Sequence, residues 1–135
     1  MGFYDLNNED RQKLKDEIAA AVLRSVAQNT PDNVIPYFSD EDTYIRKAAY
    51  QAAGKLYESK SEMREALLAW LSSLYSDERK NVRQTVIYAA GEIAVKHFTD
   101  AAGLLEKGLT DPHHSVRNAV TGGLKNAGSK KSCRP

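Results

Sequence analysis

The sequence predicts an all-α fold: a short right-handed α-solenoid of helical hairpins stacked behind one N-terminal helix. Two observations predict it. A pattern of aspartate, a β-branched residue five positions on and then arginine occurs three times: Asp40-Glu41-Asp42-Thr43-Tyr44-Ile45-Arg46, Asp77-Glu78-Arg79-Lys80-Asn81-Val82-Arg83 and Asp111-Pro112-His113-His114-Ser115-Val116-Arg117. The copies start 37 and 34 residues apart, a period that marks an array of helical hairpins. Between and through these copies apolar residues recur at helical spacing, and no alternating strand pattern occurs.

Taken in order, residues 8–28 form the first helix, with Asn7 or Asn8 as cap, Glu9 and Asp10 in the first turn, and Leu14, Ile18, Val22 and Val26 as the buried stripe. Phe3, Tyr4 and Leu6 fold back over that stripe. Thr30-Pro31 starts a short helix carrying Val34, Ile35, Tyr37 and Phe38, which Pro36 should bend. Asp40 opens a longer helix over about 41–58, with Ile45, Ala48, Ala49, Ala52, Ala53 and Leu56 inward. Ser59 and Glu62 have capping-box spacing ahead of Met63, Leu67, Trp70 and Leu74, with Leu68, Leu71 and Tyr75 widening the apolar face. Asp77 opens the helix of Val82, Val86, Ala89, Ala90 and Ile93. Thr99 caps the next one, through Ala102, Leu105 and Leu109. Asp111-Pro112 opens the last, which carries Val116, Ala119, Val120 and Leu124 and has Gly122-Gly123 within it.

With 135 residues, 41% hydrophobic and 27% charged, the chain reads as one domain over 1–128, with hairpins over about 31–59, 60–96 and 97–128 and a disordered tail over 129–135. The apolar run Ala66–Leu71 is far short of the roughly 20 residues a membrane span needs. The N-terminus lacks a basic flank followed by an apolar stretch, and Cys133 is the single cysteine, so the expected compartment is the cytoplasm. Residues 1–42 hold nine acidic and four basic side chains, whereas 43–135 hold nine and fifteen. Solvated helix faces that happen to differ, an acidic or nucleic-acid partner for the basic part, and head-to-tail contact between copies all fit that split.

Each motif aspartate is expected to cap the second helix of its hairpin. The β-branched residue then points into the core, and the arginine reaches the aspartate or loop carbonyls of the adjoining hairpin. Asp40, Arg46, Asp77, Arg83, Asp111 and Arg117 would thus form a ladder that fixes the stacking angle. This motif resembles the HEAT repeat, whose second helix begins with Asp and carries Val-Arg or Ile-Arg five and six residues later. Residues 48–54 (Ala-Ala-Tyr-Gln-Ala-Ala-Gly) and Ala89-Ala90-Gly91 are similar to the shorter, alanine-rich form found in bilin-lyase-like HEAT proteins. The resemblance covers about residues 31–128, at a spacing shorter than the usual ~40–47 residues. It implies an array that presents a surface to a partner.

Little in the sequence points to chemistry. His97, His113 and His114 are badly spaced for a metal site, and two adjacent helical histidines diverge. Cys133 has no histidine near it, and neither a glycine-rich phosphate loop nor a serine elbow occurs. HEAT-like DNA-alkylation-repair glycosylases hold tryptophans on their concave face, but Trp70 falls on an apolar stripe and reads as core. No enzyme activity, cofactor or metal is expected.

The resemblance implies that the second helices line a concave surface. One stripe on them carries Thr43, Lys47 and Gln51, then Lys80, Gln84 and Tyr88, then His114, Asn118 and Gly122, extended by Lys125. It contains no carboxylate. The expected function is a non-enzymatic scaffold or adaptor that binds a protein or peptide through this stripe. Nucleic-acid binding through the stripe and Lys130, Lys131 and Arg134 is the alternative, although a pI near 7.8 is low for such a module. An accessory role to a bilin lyase follows from repeat resemblance alone. Gly122, Gly123, Ala127 and Gly128 make a weak terminal cap, so the last helix is open to a second copy, a partner or further chain.

Overall fold

The computed structural model describes residues 2–132. Six α-helices follow one another: α1 (Asn8–Gln28), α2 (Ile35–Phe38), α3 (Thr43–Ser59), α4 (Arg64–Leu74), α5 (Lys80–Leu109) and α6 (His114–Ser132). Single 3-10 turns precede α1 (Phe3–Asp5) and α4 (Ser61–Met63), and no strand occurs among the described residues. The fold is an all-α solenoid.

Local chemistry sets the helix ends. The Asp10 N–H donates to Asn7 Oδ1 at 2.8 Å, closing the N-terminus of α1. At the other end Asn29 takes the left-handed conformation (φ 52°), and the Thr30 N–H reaches back to the Ser25 carbonyl at 3.0 Å. Helix α5 is broken at His97, whose φ of −133° and ψ of 57° are not helical. This one residue separates a first limb, 80–96, from a second, 98–109.

Helices α1, α3, the first limb of α5 and α6 lie side by side in one layer, and α2, α4 and the second limb of α5 form the other. The core lies between them. Ile18, Val22, Val34, Phe38, Tyr57, Leu67, Trp70, Leu71, Val82, Val86, Val116 and Val120 are all buried. Trp70 meets Phe38 edge-on, with ring centroids 5.7 Å apart, and its indole N–H donates to the Thr30 carbonyl at 3.1 Å. Phe3 is buried and closes the α1 end as a lid, its N–H donating to Asp42 Oδ2 at 2.6 Å. At the other end α5 and α6 cross backbone to backbone. A Cβ on Gly91 would lie 2.8 Å from the Gly123 Cα, so glycine is what permits this approach. Gly122-Gly123 is thus a packing contact, not merely a weak stretch of helix.

Several expected details differ. Ser59 lies inside the last turn of α3, so the Ser59/Glu62 capping box does not form, and Lys60 precedes the following turn instead. Thr99 caps nothing, because the backbone turns at His97 and is helical again at once. Residues 31–34 make a turn rather than a helix. Only Ile35–Phe38 is helical, with Pro36 in its first turn, where no helical N–H is lost. Leu109 and Leu124, on the apolar faces of their helices, are 56% and 39% exposed among the described residues. Helix α6 runs on through Ser132, into the stretch expected as a tail. Cys133, Arg134 and Pro135 lie outside the described residues.

Candidate binding face

The three motif turns share one hydrogen-bond pattern. In each, the aspartate Oδ1 accepts the N–H two residues on: Asp42 to Asp40 at 2.7 Å, Arg79 to Asp77 at 2.8 Å and His113 to Asp111 at 2.9 Å. The aspartates therefore make Asx turns three residues ahead of the helices they were expected to cap, since α3, α5 and α6 begin at Thr43, Lys80 and His114. Asp42 and His113 take the capping role in their copies. Asp42 Oδ1 accepts the Tyr44 N–H at 2.9 Å, and His113 Nδ1 accepts the Ser115 N–H at 3.1 Å. The motif arginines turn back on their own aspartates. Nη1 of Arg46, Arg83 and Arg117 donates to the carbonyl of Asp40, Asp77 and Asp111 respectively.

Only one rung of the expected ladder joins neighbouring hairpins. Arg83 forks onto Asp111, Nε to Oδ2 at 2.8 Å and Nη2 to Oδ1 at 3.2 Å. The Tyr75 hydroxyl adds a third side-chain donor to Asp111 at 2.5 Å. Burial pushes the Asp111 carboxyl up, but Arg83, Tyr75 and the His113 N–H outweigh it and hold it at about 2. Burial and the bond to Asp111 push the Tyr75 phenol well above its ordinary value. Arg46 makes no such bond to Asp77, whose carboxylate is already forked by Arg79 at 2.8 and 2.9 Å. Hairpins one and two are joined differently: the Thr85 hydroxyl donates to the Phe38 carbonyl at 2.9 Å, and Asn81 Nδ2 to the Ser39 carbonyl at 3.4 Å.

The expected stripe lies on α3, the first limb of α5 and α6. Thr43, Lys47, Lys80, His114, Asn118 and Lys125 are exposed, while Gln51, Gln84, Tyr88 and Gly122 are half-buried. The structure divides it. Thr43, Gln84 and Tyr88 line a groove of about 200 Å³ between α3 and α5, together with Arg46, Tyr50 and Thr85. Lys47 and Gln51 line a separate one with Phe3, Lys15, Tyr44 and Ala48. Tyr88 is the joint of the face. Its ring stacks on Tyr50 with centroids 5.1 Å apart, and its hydroxyl lies where a Cβ on Gly122 would be, at 2.9 Å. Burial and then the Glu92 carboxylate push the Tyr50 phenol up to about 12.

Sequence reasoning missed Arg46 and Tyr50 as groove residues; the signal was Tyr50 and Tyr88 recurring at nearly the repeat distance. It also missed a clasp at the far end of α3, for which no local signal exists. There the Tyr57 hydroxyl donates to Asp100 Oδ2 at 2.5 Å, Glu58 Oε2 lies 3.1 Å from His97 Nε2, and the Tyr57 and His97 rings are 5.2 Å apart. Trp70 is core. His113 and His114, expected to diverge, instead stack at 4.7 Å, since His113 precedes α6 and is not on the helix. Among the described residues no group of three or more His, Cys, Asp or Glu side chains is placed to hold a metal ion, and no helix is long and apolar enough to cross a membrane. Across residues 32–125, more than half of the chain, a family model described as HEAT repeats matches. No curated protein and no solved structure matches.

Proposed function

The chain belongs to the HEAT-repeat family, and on that premise we propose that it is a non-enzymatic adaptor that binds a protein or peptide along the layer of α3, the first limb of α5 and α6. The observation that carries the reading is Tyr88. Half-buried, stacked on Tyr50 and seated over Gly122, it ties three successive helices into one face and forms the wall of a groove. Aromatic side chains held rigidly beside polar donors suit polypeptide recognition, because they supply contact area with little ordering cost. Lys47, Lys80 and Lys125 stand exposed on the same stripe, which holds no carboxylate.

Photo-crosslinking residues placed at Gln51, Gln84 and Asn118 test the assignment against the same probes at Glu65 and Glu106, exposed on the opposite layer. One partner captured from all three stripe positions and from neither control is the expected result. Capture from Glu65 and Glu106 instead would move binding to the other face.

A further inference from the structure

We propose that the groove beside Arg46 receives a carboxylate from an acidic segment of a partner polypeptide. This rests on the adaptor reading above and names the chemistry of the segment. The protein contains its own template for the contact. Arg46 and Arg83 hold the same motif position, and each spends Nη1 on the carbonyl of its own aspartate. Arg83 then uses Nε and Nη2 to fork a carboxylate, which a tyrosine hydroxyl also holds. Arg46 is half-buried, and its Nε and Nη2 have no acceptor among the described residues, while the carboxylate of Asp77 is held by Arg79.

The surroundings of Arg46 are those of an unfilled rung. None of the residues that share its groove, Thr43, Tyr50, Gln84, Thr85 and Tyr88, carries a carboxylate. Thr43, Gln84 and Tyr50 all bear donors, and Tyr50 stays protonated at neutral pH. The nearby carboxylates are otherwise engaged or further off. Asp42 accepts the Tyr44 and Phe3 N–H groups, and Glu92, which raises the Tyr50 phenol, is not among the residues that line the groove. A half-buried guanidinium with two unused fork donors favours a planar carboxylate that takes both. Exposed Lys47 and Lys80 add attraction for an acidic segment as it approaches. A groove of about 200 Å³ is smaller than the roughly 300–1,000 Å³ of sites that enclose a whole small ligand, and it suits one side chain of an extended chain. A net charge of +1 weighs against a nucleic-acid backbone as the occupant.

Fluorescence anisotropy with labelled hexaglutamate, hexaglutamine and a ten-nucleotide oligo-dT at 50 mM salt tests this. Hexaglutamate should bind, hexaglutamine should bind at least tenfold more weakly, and Arg46→Gln should weaken hexaglutamate about tenfold, well beyond the effect of Lys125→Gln. Gln84→Glu supplies a second variant that keeps the fold. It places a carboxylate in the groove, so hexaglutamate binding should fall at least tenfold while the melting temperature holds or rises. Equal binding of the two peptides, tighter binding of oligo-dT, no binding of hexaglutamate, or indifference to Arg46→Gln and Gln84→Glu would each overturn the carboxylate assignment. None of these touches the adaptor reading, which stands or falls on crosslinks from Gln51, Gln84 and Asn118.

Discussion

Replacing Arg83 with alanine is the perturbation whose cost follows most directly from the structure. The Arg83 side chain is 14% exposed and Asp111 only 1%, so the change strands a carboxylate that water cannot reach. Removing one partner of a buried ion pair costs about 3–5 kcal/mol. Asp111 keeps the Tyr75 hydroxyl and the His113 N–H, which places the cost at the lower end, about 3 kcal/mol. Holding the carboxyl at about 2 instead of 3.8 is worth about 2 kcal/mol at roughly 1.36 kcal/mol per tenfold, a net effect of burial, Arg83, Tyr75 and the His113 N–H together. Arg46→Ala removes one bond to a carbonyl from a half-buried side chain, about 1 kcal/mol.

Urea unfolding at pH 7 should therefore order the variants Arg83→Ala, Arg46→Ala and Lys80→Ala by decreasing loss, with Arg83→Ala melting roughly 10 °C below the wild type. A double-mutant cycle with Asp111→Asn isolates the pair and should give a coupling of at least about 1 kcal/mol. The pH dependence has a definite sign. The Asp111 carboxyl is lower in the folded chain than its ordinary 3.8, so the unfolded chain binds more protons in between. The stabilisation is complete above about 3.8 and is lost as pH falls toward 2. Equal losses for Arg83→Ala and Arg46→Ala, or an additive cycle, would refute the reasoning.

Further predictions concern other contacts. Gly91→Ala should destabilise by about 1–3 kcal/mol, because its Cβ would meet the α6 backbone at 2.8 Å. Gly103→Ala, with open space around it in the same helix, should stabilise by up to about 1 kcal/mol in the same melts. His113 caps α6 through a bare Nδ1, and burial, Lys80, His114 and Arg83 lower its pKa. Its contribution is complete above about 6.5 and fades as pH falls below that, so the wild type should lose stability relative to His113→Asn between pH 7 and 5. Tyr57→Phe removes the bond to Asp100 across the break at His97 and should cost about 1 kcal/mol in urea unfolding, with faster amide exchange in 98–109.

The all-α solenoid was legible because the Asp/Arg motif and the helical apolar spacing are both local in sequence. So was the burial of Trp70, which shares a stripe with Leu67 and Leu74. The turn at His97 was not legible. It consists of one non-helical residue, contacted from outside by Tyr57 and Glu58 at the end of α3, about 40 residues earlier. The exposure of Leu109 and Leu124 was not legible, because periodicity reports which face is apolar and not whether a neighbour covers it.

The ladder shows most clearly where the motif stops being informative. All three aspartates spend Oδ1 on the N–H two residues on, so the remaining capacity of each carboxylate decides whether a rung forms. That capacity depends on the side chain at the donating residue. At Asp77 it is Arg79, whose guanidinium folds back and takes the carboxylate. At Asp111 it is His113, whose ring turns toward Ser115 and leaves Asp111 to Arg83. One position outside the repeated pattern thus selects between a bond within a hairpin and a bond between hairpins. It follows that Arg79→His should free Asp77 for Arg46 and create the missing first rung. In an Arg79→His background Arg46→Ala should then cost more than the about 1 kcal/mol expected in the wild type, approaching the cost of Arg83→Ala. An unchanged cost in that background would mean that backbone position, and not competition for the carboxylate, keeps Arg46 away from Asp77.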